Sequence, residues 1–295
     1  MRLFTRVADT RSFSAAADQL QLPRSTVSSE IKALEQRLGT RLLNRTTRSV
    51  SLTADGKTYR QRCEQLLAEL EENDQQFRQA PSELRGTIRV DIPARIARTH
   101  VIPALPGFFE KHPAIDLVLG VSDRPVDLIQ EAVDCAIRVG PLNDSRLIAR
   151  RLGLLAVGSY ASPDYLARFG TPRHPRDLAR HRMVAYASPL TGKAYRWEYR
   201  QNGRTREMAV PHALTVNNAE AYTTAAVAGL GLIQVPAYDV EALITDGLLV
   251  EVLPASRPAP LPISAVYPDR RQRSRRVSAF VAWFERVFAA PLGRH

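Results

Sequence analysis

Apolar residues in the first forty positions recur every three or four residues, a spacing that predicts amphipathic helices. Ser12 or Ser14 can cap the second helix. Pro23 suits the first turn of the third helix, where its missing N–H costs nothing, and Gly39 suits its C-terminal end. Three short helices are therefore predicted, with inner faces formed by Leu3, Phe4, Val7 and Ala8, then by Phe13, Ala16, Ala17 and Leu20, then by Val27, Ile31, Leu34 and Leu38.

The second and third predicted helices are joined by a short turn at Gln21-Leu22, and small residues allow them to cross closely. This arrangement is the helix-turn-helix pattern. The polar face of the third helix combines short hydrogen-bonding side chains with cations, which suit phosphates and base edges in a major groove. An ordinary solvated face is the alternative. The candidate DNA-binding residues of this helix are Arg24, Ser25, Thr26, Ser28, Ser29 and Lys32.

Residues 42–53 alternate between apolar and polar side chains and contain arginines, which predicts a small β-hairpin, or wing, with a basic tip. Arg45 and Arg48 would then lie near the DNA backbone and hold phosphates. Thr53 follows the hairpin and can cap a long helix. We predict that this helix continues to about Gln79 and stops before Pro81.

The long helix carries a stripe spaced by four and three residues in turn, the heptad spacing of a coiled coil. An asparagine in the stripe could fix the register of two helices. Because the outer face is acidic and the helix has little else to pack against, we predict a dimerisation helix. The alternative is that the stripe docks on its own downstream domain. The seam residues are Tyr59, Cys63, Leu66, Leu70, Asn73 and Phe77.

From Gly86 onward, strand-like alternation is interspersed with helical patterns. Repeated β-α-β units predict a mostly parallel sheet covered by helices. Asn202-Gly203 between two alternating segments signals a hairpin. Strands are expected at 88–92, 115–119, 135–139, 214–216, 232–235 and 263–267, and the helices include 126–133 and 277–288.

Charge is unevenly distributed along the chain. The sequence has 41 Lys and Arg residues against 30 Asp and Glu residues, a net charge of +11. Residues 1–62 carry +7, whereas residues 63–80 carry −4. A small, densely basic block is typical of a polyanion-binding module, although on charge alone a solvated surface is an equal alternative.

Several classes of protein are disfavoured by composition. No apolar stretch approaches the ~20 residues of a membrane span, and Asp9 interrupts any secretory signal. Cys63 and Cys135 are too few for a disulfide framework or a four-thiolate zinc site. The chain lacks a phosphate loop and a His-Glu-x-x-His motif. We therefore expect a cytoplasmic protein that is not an enzyme and has no metal and no cofactor.

Five segments carry a family resemblance: Phe13-Ser-Ala-Ala-Ala, Ser25-Thr-Val-Ser28, Leu38-Gly39-Thr-Arg41-Leu42-Leu43, Leu52-Thr53-Ala-Asp-Gly56 and Asp134-Cys-Ala-Ile-Arg138. The first four, within about the first 60 residues, resemble the N-terminal module of LysR-type transcriptional regulators. The fifth, with Gly229-Leu-Gly-Leu, is similar to the effector domain of that family. The chain begins a few residues later than the family's first helix usually does.

The resemblance implies an α/β fold with an N-terminal winged helix-turn-helix and a long linker helix, followed by a two-lobed α/β effector domain similar to periplasmic binding proteins. The expected boundaries are 1–57 for the DNA-binding domain, 58–84 for the dimerisation linker helix and 85–295 for the effector domain. Within the last, lobe one would span about 85–156 and 263–295, and lobe two about 157–262.

The implied function is that of a sequence-specific, promoter-binding transcriptional regulator, modulated allosterically by a small-molecule effector. The implied assembly is a homodimer or homotetramer, with RNA polymerase as a further candidate partner. The competing class is a cytoplasmic solute-binding or enzymatic α/β protein whose basic N-terminus only tethers it to a polyanion.

The effector is expected at the carboxyl ends of the strands, where helix N-termini present unpaired N–H groups. The first such turn contains Arg95, which would either point into solvent or offer a bidentate partner to a carboxylate. An anionic or carboxylated aromatic metabolite is therefore the expected effector. With the rest of the cleft wall placed by the resemblance, the candidate effector-binding residues are Pro93, Ala94, Arg95, Arg138, Gly140, Asn217, Asn218, Val235 and Pro236.

Overall fold

The structure is a computed structural model that describes residues 1–45, 50–76, 84–124, 126–142, 147–188, 191–268 and 274–291. The chain divides into two compact units. The first comprises Met1–Gly86 with Ile129–Ala132, and the second comprises Thr87–Leu128 with Val133–His295.

Three short helices open the first unit, as the apolar spacing predicts: α1 (Arg2–Thr10), α2 (Phe13–Leu20) and α3 (Arg24–Leu38). Ser12 caps α2, since its Oγ accepts the N–H of Ala15 at 3.3 Å. Gly39 ends α3 with a φ of 68°, a left-handed conformation that favours glycine.

The core of the first unit is formed by the predicted inner faces of these helices. Leu38 is an exception: it is 40% exposed, because it lies in the last turn of α3, beyond the part of the helix that is covered. The buried cluster contains Phe4, Val7, Ala16, Ala17, Val27, Ile31, Leu42, Leu43 and Cys63.

The predicted wing is present as an antiparallel hairpin of β1 (Leu43–Arg45) and β2 (Val50–Leu52), with Leu43 opposite Leu52. The long helix α4 (Ala54–Gln76) follows. Thr53 caps it, because its Oγ1 accepts the N–H of Gly56 at 2.9 Å.

The second unit alternates strands and helices. Its helices are α5 (Ala94–Ile96), α6 (Ile102–Lys111), α7 (Pro163–Phe169), α8 (Ala219–Val227), α9 (Glu241–Thr245) and α10 (Arg275–Val287), with a π-helical turn (Ala97–Val101) between α5 and α6. Its strands are β3 (Gly86–Ile92), β4 (Ile115–Val121), β5 (Cys135–Val139), β6 (Ile148–Leu155), β7 (Val157–Ala161), β8 (Met183–Tyr186), β9 (Trp197–Gln201), β10 (Arg204–Met208), β11 (His212–Val216), β12 (Ile233–Pro236), β13 (Val250–Val252) and β14 (Leu261–Tyr267).

The prediction of a mostly parallel sheet holds for the direction of β3, β5 and β6 but is wrong for β14. The largest sheet has the strand order β4-β3-β5-β14-β6, and β3 pairs in parallel with β5. However, β14 comes from the end of the chain and enters between β5 and β6, antiparallel to both. Strand β7 likewise pairs antiparallel with β12 and β13, while β8 and β11 are parallel. Local periodicity identifies strands but does not determine the direction in which a distant strand returns.

The predicted helix at 126–133 is also wrong. The chain there forms turns, in which the N–H of Val133 donates to the carbonyl oxygen of Leu128 at 2.9 Å. Ala132 has a φ of 51°, and a residue in this left-handed conformation cannot continue a right-handed helix.

The hairpin predicted at Asn202-Gly203 joins β9 and β10. Both turn residues have positive φ, 50° and 75°, as a two-residue hairpin turn of this kind requires.

Candidate functional site

Three of the six candidate DNA-binding side chains of α3 lie opposite its buried residues. Val27 and Ile31 face the core, whereas Ser25, Ser29 and Lys32 are exposed and spaced four and three residues apart, on one side of the helix. Arg24 is also exposed, and Thr26 and Ser28 are half-buried. The helix therefore presents two hydroxyls and an ammonium group along one polar stripe.

Glu35 holds α3 against the strand that follows it, a role that the sequence analysis missed. Its Oε1 accepts the N–H groups of Leu42 and Leu43 at 2.9 and 3.0 Å. Hydrogen bonds from backbone N–H to a carboxylate are stronger than neutral ones. The polar stripe of α3 and the start of the hairpin are thus joined directly.

The two candidate phosphate-binding residues of the wing are not placed by the structure. Arg45 is the last residue of β1, but its side chain lies outside the described part of the chain. Arg48 lies wholly outside the described residues.

The predicted seam on α4 is partly wrong. The ring of Tyr59 meets that of Phe4 edge to face at 5.3 Å, and Cys63 is 1% exposed within the core of the first unit. Burial raises the pKa of the Cys63 thiol. These two side chains pack against their own α1 rather than forming an intersubunit seam, because the start of α4 adjoins the helices before it.

Further along α4, the stripe is open. Leu66 is 43% and Leu70 49% exposed. The side chain of Asn73 and all of Phe77 lie outside the described part of the chain.

In the second unit, Asp123 joins two helix N-termini through a single carboxylate. Its Oδ1 accepts the N–H of Ala94 at 3.1 Å, and its Oδ2 accepts the N–H of Ala219 at 2.9 Å and the side-chain amide of Asn218 at 3.0 Å. Two of the candidate effector residues, Ala94 and Asn218, are thus brought together by a residue that the sequence analysis did not assign to the site.

Asn218 is in turn the N-cap of α8. Its Oδ1 accepts the N–H groups of Glu220 and Ala221 at 3.0 and 3.1 Å. The start of α8, where unpaired N–H groups were expected to face a ligand, is therefore already satisfied by side chains of the protein.

Arg95 points inward and is only 8% exposed. Its guanidinium contacts Oε2 of Glu220 at 3.1 Å and Oδ1 of Asp239 at 3.3 Å, and it donates a hydrogen bond to the backbone carbonyl of Asp239. Arg98 holds the other oxygen of Glu220 at 2.8 Å. The positive charge expected to await a carboxylate ligand is therefore matched by the protein's own carboxylates.

Asp239 is the buried acid of this group. Burial raises its pKa to about 7, and the neighbouring Arg95 opposes that rise. Asp123 and Glu220 add negative charge nearby. We call Arg95, Asp123, Asn218, Glu220 and Asp239 the clasp, since together they join the starts of α5 and α8 to the turn that follows β12.

Tyrosines line the same region. The hydroxyl of Tyr186 donates to the carbonyl oxygen of Asn217 at 3.4 Å, and its ring packs against those of Tyr195 and Tyr222. Burial raises the pKa of Tyr186, and the charges of Asp123 and Asp239 raise it further. Asn217 thus lies beside the clasp and supplies a backbone oxygen rather than a side chain to this contact.

The remaining candidate effector residues lie in a different setting. Arg138 pairs with Oδ1 of Asp91 at 2.6 Å, so this second predicted cation is also neutralised. Gly140 is buried, and its N–H donates to the carbonyl of Pro262 at 2.8 Å. Pro93 precedes α5 as its N-cap, and Val235 and Pro236 end β12.

Comparison with family models covers most of the chain. The family described as "Bacterial regulatory helix-turn-helix protein, lysR family" matches residues 1–57, and "LysR substrate binding domain" matches residues 81–289. No helix among the described residues is long and apolar enough to span a membrane.

Two curated proteins illustrate the relationship. The uncharacterized HTH-type transcriptional regulator YhjC of Escherichia coli is 45% identical over 287 residues, which cover 97% of this chain and 96% of that protein. An HTH-type transcriptional repressor of Pseudomonas aeruginosa is 37% identical over 289 residues, with 98% and 91% covered.

Solved structures align with most of the chain. CrgA, a LysR-type regulator of Neisseria meningitidis, aligns with a TM-score of 0.61 and 31% identity, covering 96% of each chain. The Vibrio cholerae virulence activator AphB aligns with a TM-score of 0.57 and 28% identity, again over 96% of each chain. The polar stripe of α3, the hairpin beside it and the α/β unit with its clasp are therefore parts of a LysR-type transcriptional regulator, the family to which this chain belongs.

Proposed function

We propose that the polar stripe of α3 reads operator DNA and that a small molecule acting at the clasp alters this binding. The observation that carries the DNA assignment is the exposure of Ser25, Ser29 and Lys32 on a helix held in place by Glu35. The working division would be 1–57 for DNA binding, 58–84 for dimerisation and 85–295 for sensing. Because promoter DNA is the partner, we place the protein in the cytoplasm.

Substitutions on α3 test the DNA assignment. Ser25→Ala is expected to alter preference among operator variants by about 1–3 kcal/mol if the hydroxyl meets a base edge. Lys32→Ala is expected to weaken binding to every sequence, because its ammonium group contacts phosphate. The salt slope, which is the slope of log binding constant against log salt concentration, should decrease in magnitude by about 1. The measurement is binding to the DNA upstream of the protein's own gene as a function of salt.

Arg37→Ala is the matched control for Lys32→Ala. Arg37 is exposed on the same helix and carries the same charge, but five residues of helix place it about 140° away from Lys32. Equal losses in the two variants would indicate a general charge effect and would contradict the assignment of the stripe to the groove.

We also propose that α4 joins two copies of the chain through Leu66 and Leu70, which lie one turn apart and are exposed in the single chain. Leu66→Asp with Leu70→Asp would place unpaired carboxylates in that contact, so dimers are expected to dissociate. Sedimentation of the full-length protein measures this. Lys57→Asp makes the same change in net charge on the opposite side of α4 and should leave the mass unchanged. Dimers that survive the double substitution would move the interface elsewhere.

Effector binding is proposed at the clasp because its residues join distant parts of the sensing unit through hydrogen bonds and ion pairs that a ligand can replace. The same contacts remove the reason for expecting an anionic effector, since Arg95 and Arg138 are both paired with carboxylates. Any effector would have to compete with these internal contacts. Opening of the clasp would then change the arrangement of paired DNA-binding modules, and thereby the contact of the bound complex with RNA polymerase.

A further inference from the structure

A second strongly basic region lies in the second unit, far along the sequence from the helix-turn-helix. Residues 163–208 carry ten Arg and Lys residues against four Asp and Glu residues, a net +6 out of +11 for the whole chain. This excess is nearly as large as that of residues 1–62, in a shorter segment. The family model of the DNA-binding module ends at residue 57 and does not account for it.

The fold gathers these charges around one small core. Tyr165 from α7, Leu178 from the 3-10 turn Pro175–Arg180, Met183 from β8 and Trp197 from β9 are buried in the same cluster. The polar residues between them therefore face outward around that cluster. We call six of these exposed residues the arginine surface: Arg173, Arg176, Arg180, Arg200, Arg204 and Arg206.

Several arginines elsewhere in the second unit are closely paired. Arg138, Arg150 and Arg257 each meet a carboxylate at 2.5–2.7 Å. In the arginine surface, the single ion pair among the described residues joins Arg176 to Asp177 at 3.9 Å. The other five guanidinium groups have no side-chain partner in the described part of the chain.

Three of these arginines lie at the end of a hairpin. Arg200 and Arg204 flank the Asn202-Gly203 turn closely, and Arg206 stands opposite Tyr199. Arg204 and Arg206 lie on one face of β10, since side chains two residues apart in a strand point the same way. Arg200 stands opposite Thr205 and therefore lies on the other face of the hairpin. Arg173, Arg176 and Arg180 lie on or beside the 3-10 turn.

Exposed guanidinium groups without carboxylate partners leave positive charge on the surface, which a polyanion would neutralise. Nine of the ten basic residues in this segment are arginines, whose planar donor fork matches phosphate oxygens. We propose that the arginine surface binds the phosphate backbone of DNA, outside the operator contacts made by α3 and without regard to sequence. An acidic protein surface is the other partner that such charge could attract, and the experiment separates the two.

The test uses the full-length protein with two duplexes. One covers only the operator region, about two helical turns for paired modules, and the other extends it by several turns on both sides. Two triple variants are compared. The first combines Arg173→Gln, Arg176→Gln and Arg180→Gln, and the second combines Arg200→Gln, Arg204→Gln and Arg206→Gln. Each triple is expected to reduce the salt slope on the long duplex by roughly 2–3, at about 0.9 for each lost phosphate contact. The short duplex should be bound almost as before.

The matched control removes three exposed arginines elsewhere in the same unit, Arg124→Gln, Arg151→Gln and Arg286→Gln. Equal salt slopes for this control and the two triples on the long duplex would overturn the proposal, because the effect would then follow net charge alone. Unchanged DNA binding in correctly folded triples would also overturn it and would direct attention to an acidic protein partner. Failure of the α3 assignment is distinguishable, since Lys32→Ala acts on both duplexes.

Discussion

Gly56→Ala is expected to destabilise the first unit by about 3 kcal/mol or more, the upper end of the usual cost of overpacking. A Cβ at Gly56 would overlap the backbone carbonyl oxygen of Leu42 and would lie 3.1 Å from Cδ2 of Leu52. The obstacle is backbone, and it is held by Thr53, whose N–H donates to that same carbonyl at 3.0 Å. Since α4 would have to move away from the hairpin, operator binding is expected to be lost.

Denaturant unfolding and a gel-shift assay measure the two effects. Gly107→Ala is the matched control, because a Cβ at this exposed position in α6 meets nothing within 4 Å. Alanine is the better helix former, so this control should stabilise the protein by about 0.4–1 kcal/mol. Wild-type stability of Gly56→Ala would mean that α4 does not approach the hairpin as closely as described.

The second large effect is expected from Arg95→Met, which keeps an unbranched, apolar stem and removes the charged guanidinium group. Asp239 would be left buried without its cation, and breaking a buried ion pair from one side typically costs about 3–5 kcal/mol. Arg95→Met with Asp239→Asn leaves no charge at either position and should recover most of this loss. Thermal unfolding of the full-length protein compares the wild type, Arg95→Met, Asp239→Asn and the double variant, which together form a double-mutant cycle.

The loss should depend on pH in a definite direction. Asp239 has a pKa of about 7 in the folded protein, above its value in the unfolded chain, so the folded state binds the proton more tightly. The resulting stabilisation is complete below a pH of about 4 and disappears as the pH rises through about 7. Arg95→Met should therefore be less harmful at pH 6 than at pH 8. A defect of equal size at both would place the damage in packing rather than in the unpaired carboxylate.

Features of the fold that depend on neighbouring residues could be predicted from the sequence. The cap at Ser12, the end of α3 at Gly39 and the turn at Asn202-Gly203 each follow from the conformational preference of one or two residues. The stripe on α3 followed from helical spacing alone. The LysR resemblance rested on such local motifs, which is why the family was identified correctly.

Contacts between distant residues could not be predicted in this way. Arg95 meets Glu220 and Asp239, more than a hundred positions away, and nothing near Arg95 indicates that acids will surround it. Tyr59 and Cys63 illustrate the same limit, because their spacing shows that one face of α4 is covered but not which surface covers it. The direction of β14 depends likewise on where the chain has travelled before it returns.

Asp123 couples the release of one helix start to the release of the other. One carboxylate accepts the N–H groups of both Ala94 and Ala219. If α5 alone moved away, one carboxylate oxygen and the N–H at the start of α5 would both lose their hydrogen-bond partner. Half-open arrangements are therefore costly, and each subunit should switch in a single step rather than by gradual loosening. A ligand that replaces only one of these two hydrogen bonds would gain little, whereas one that replaces both would open the clasp completely.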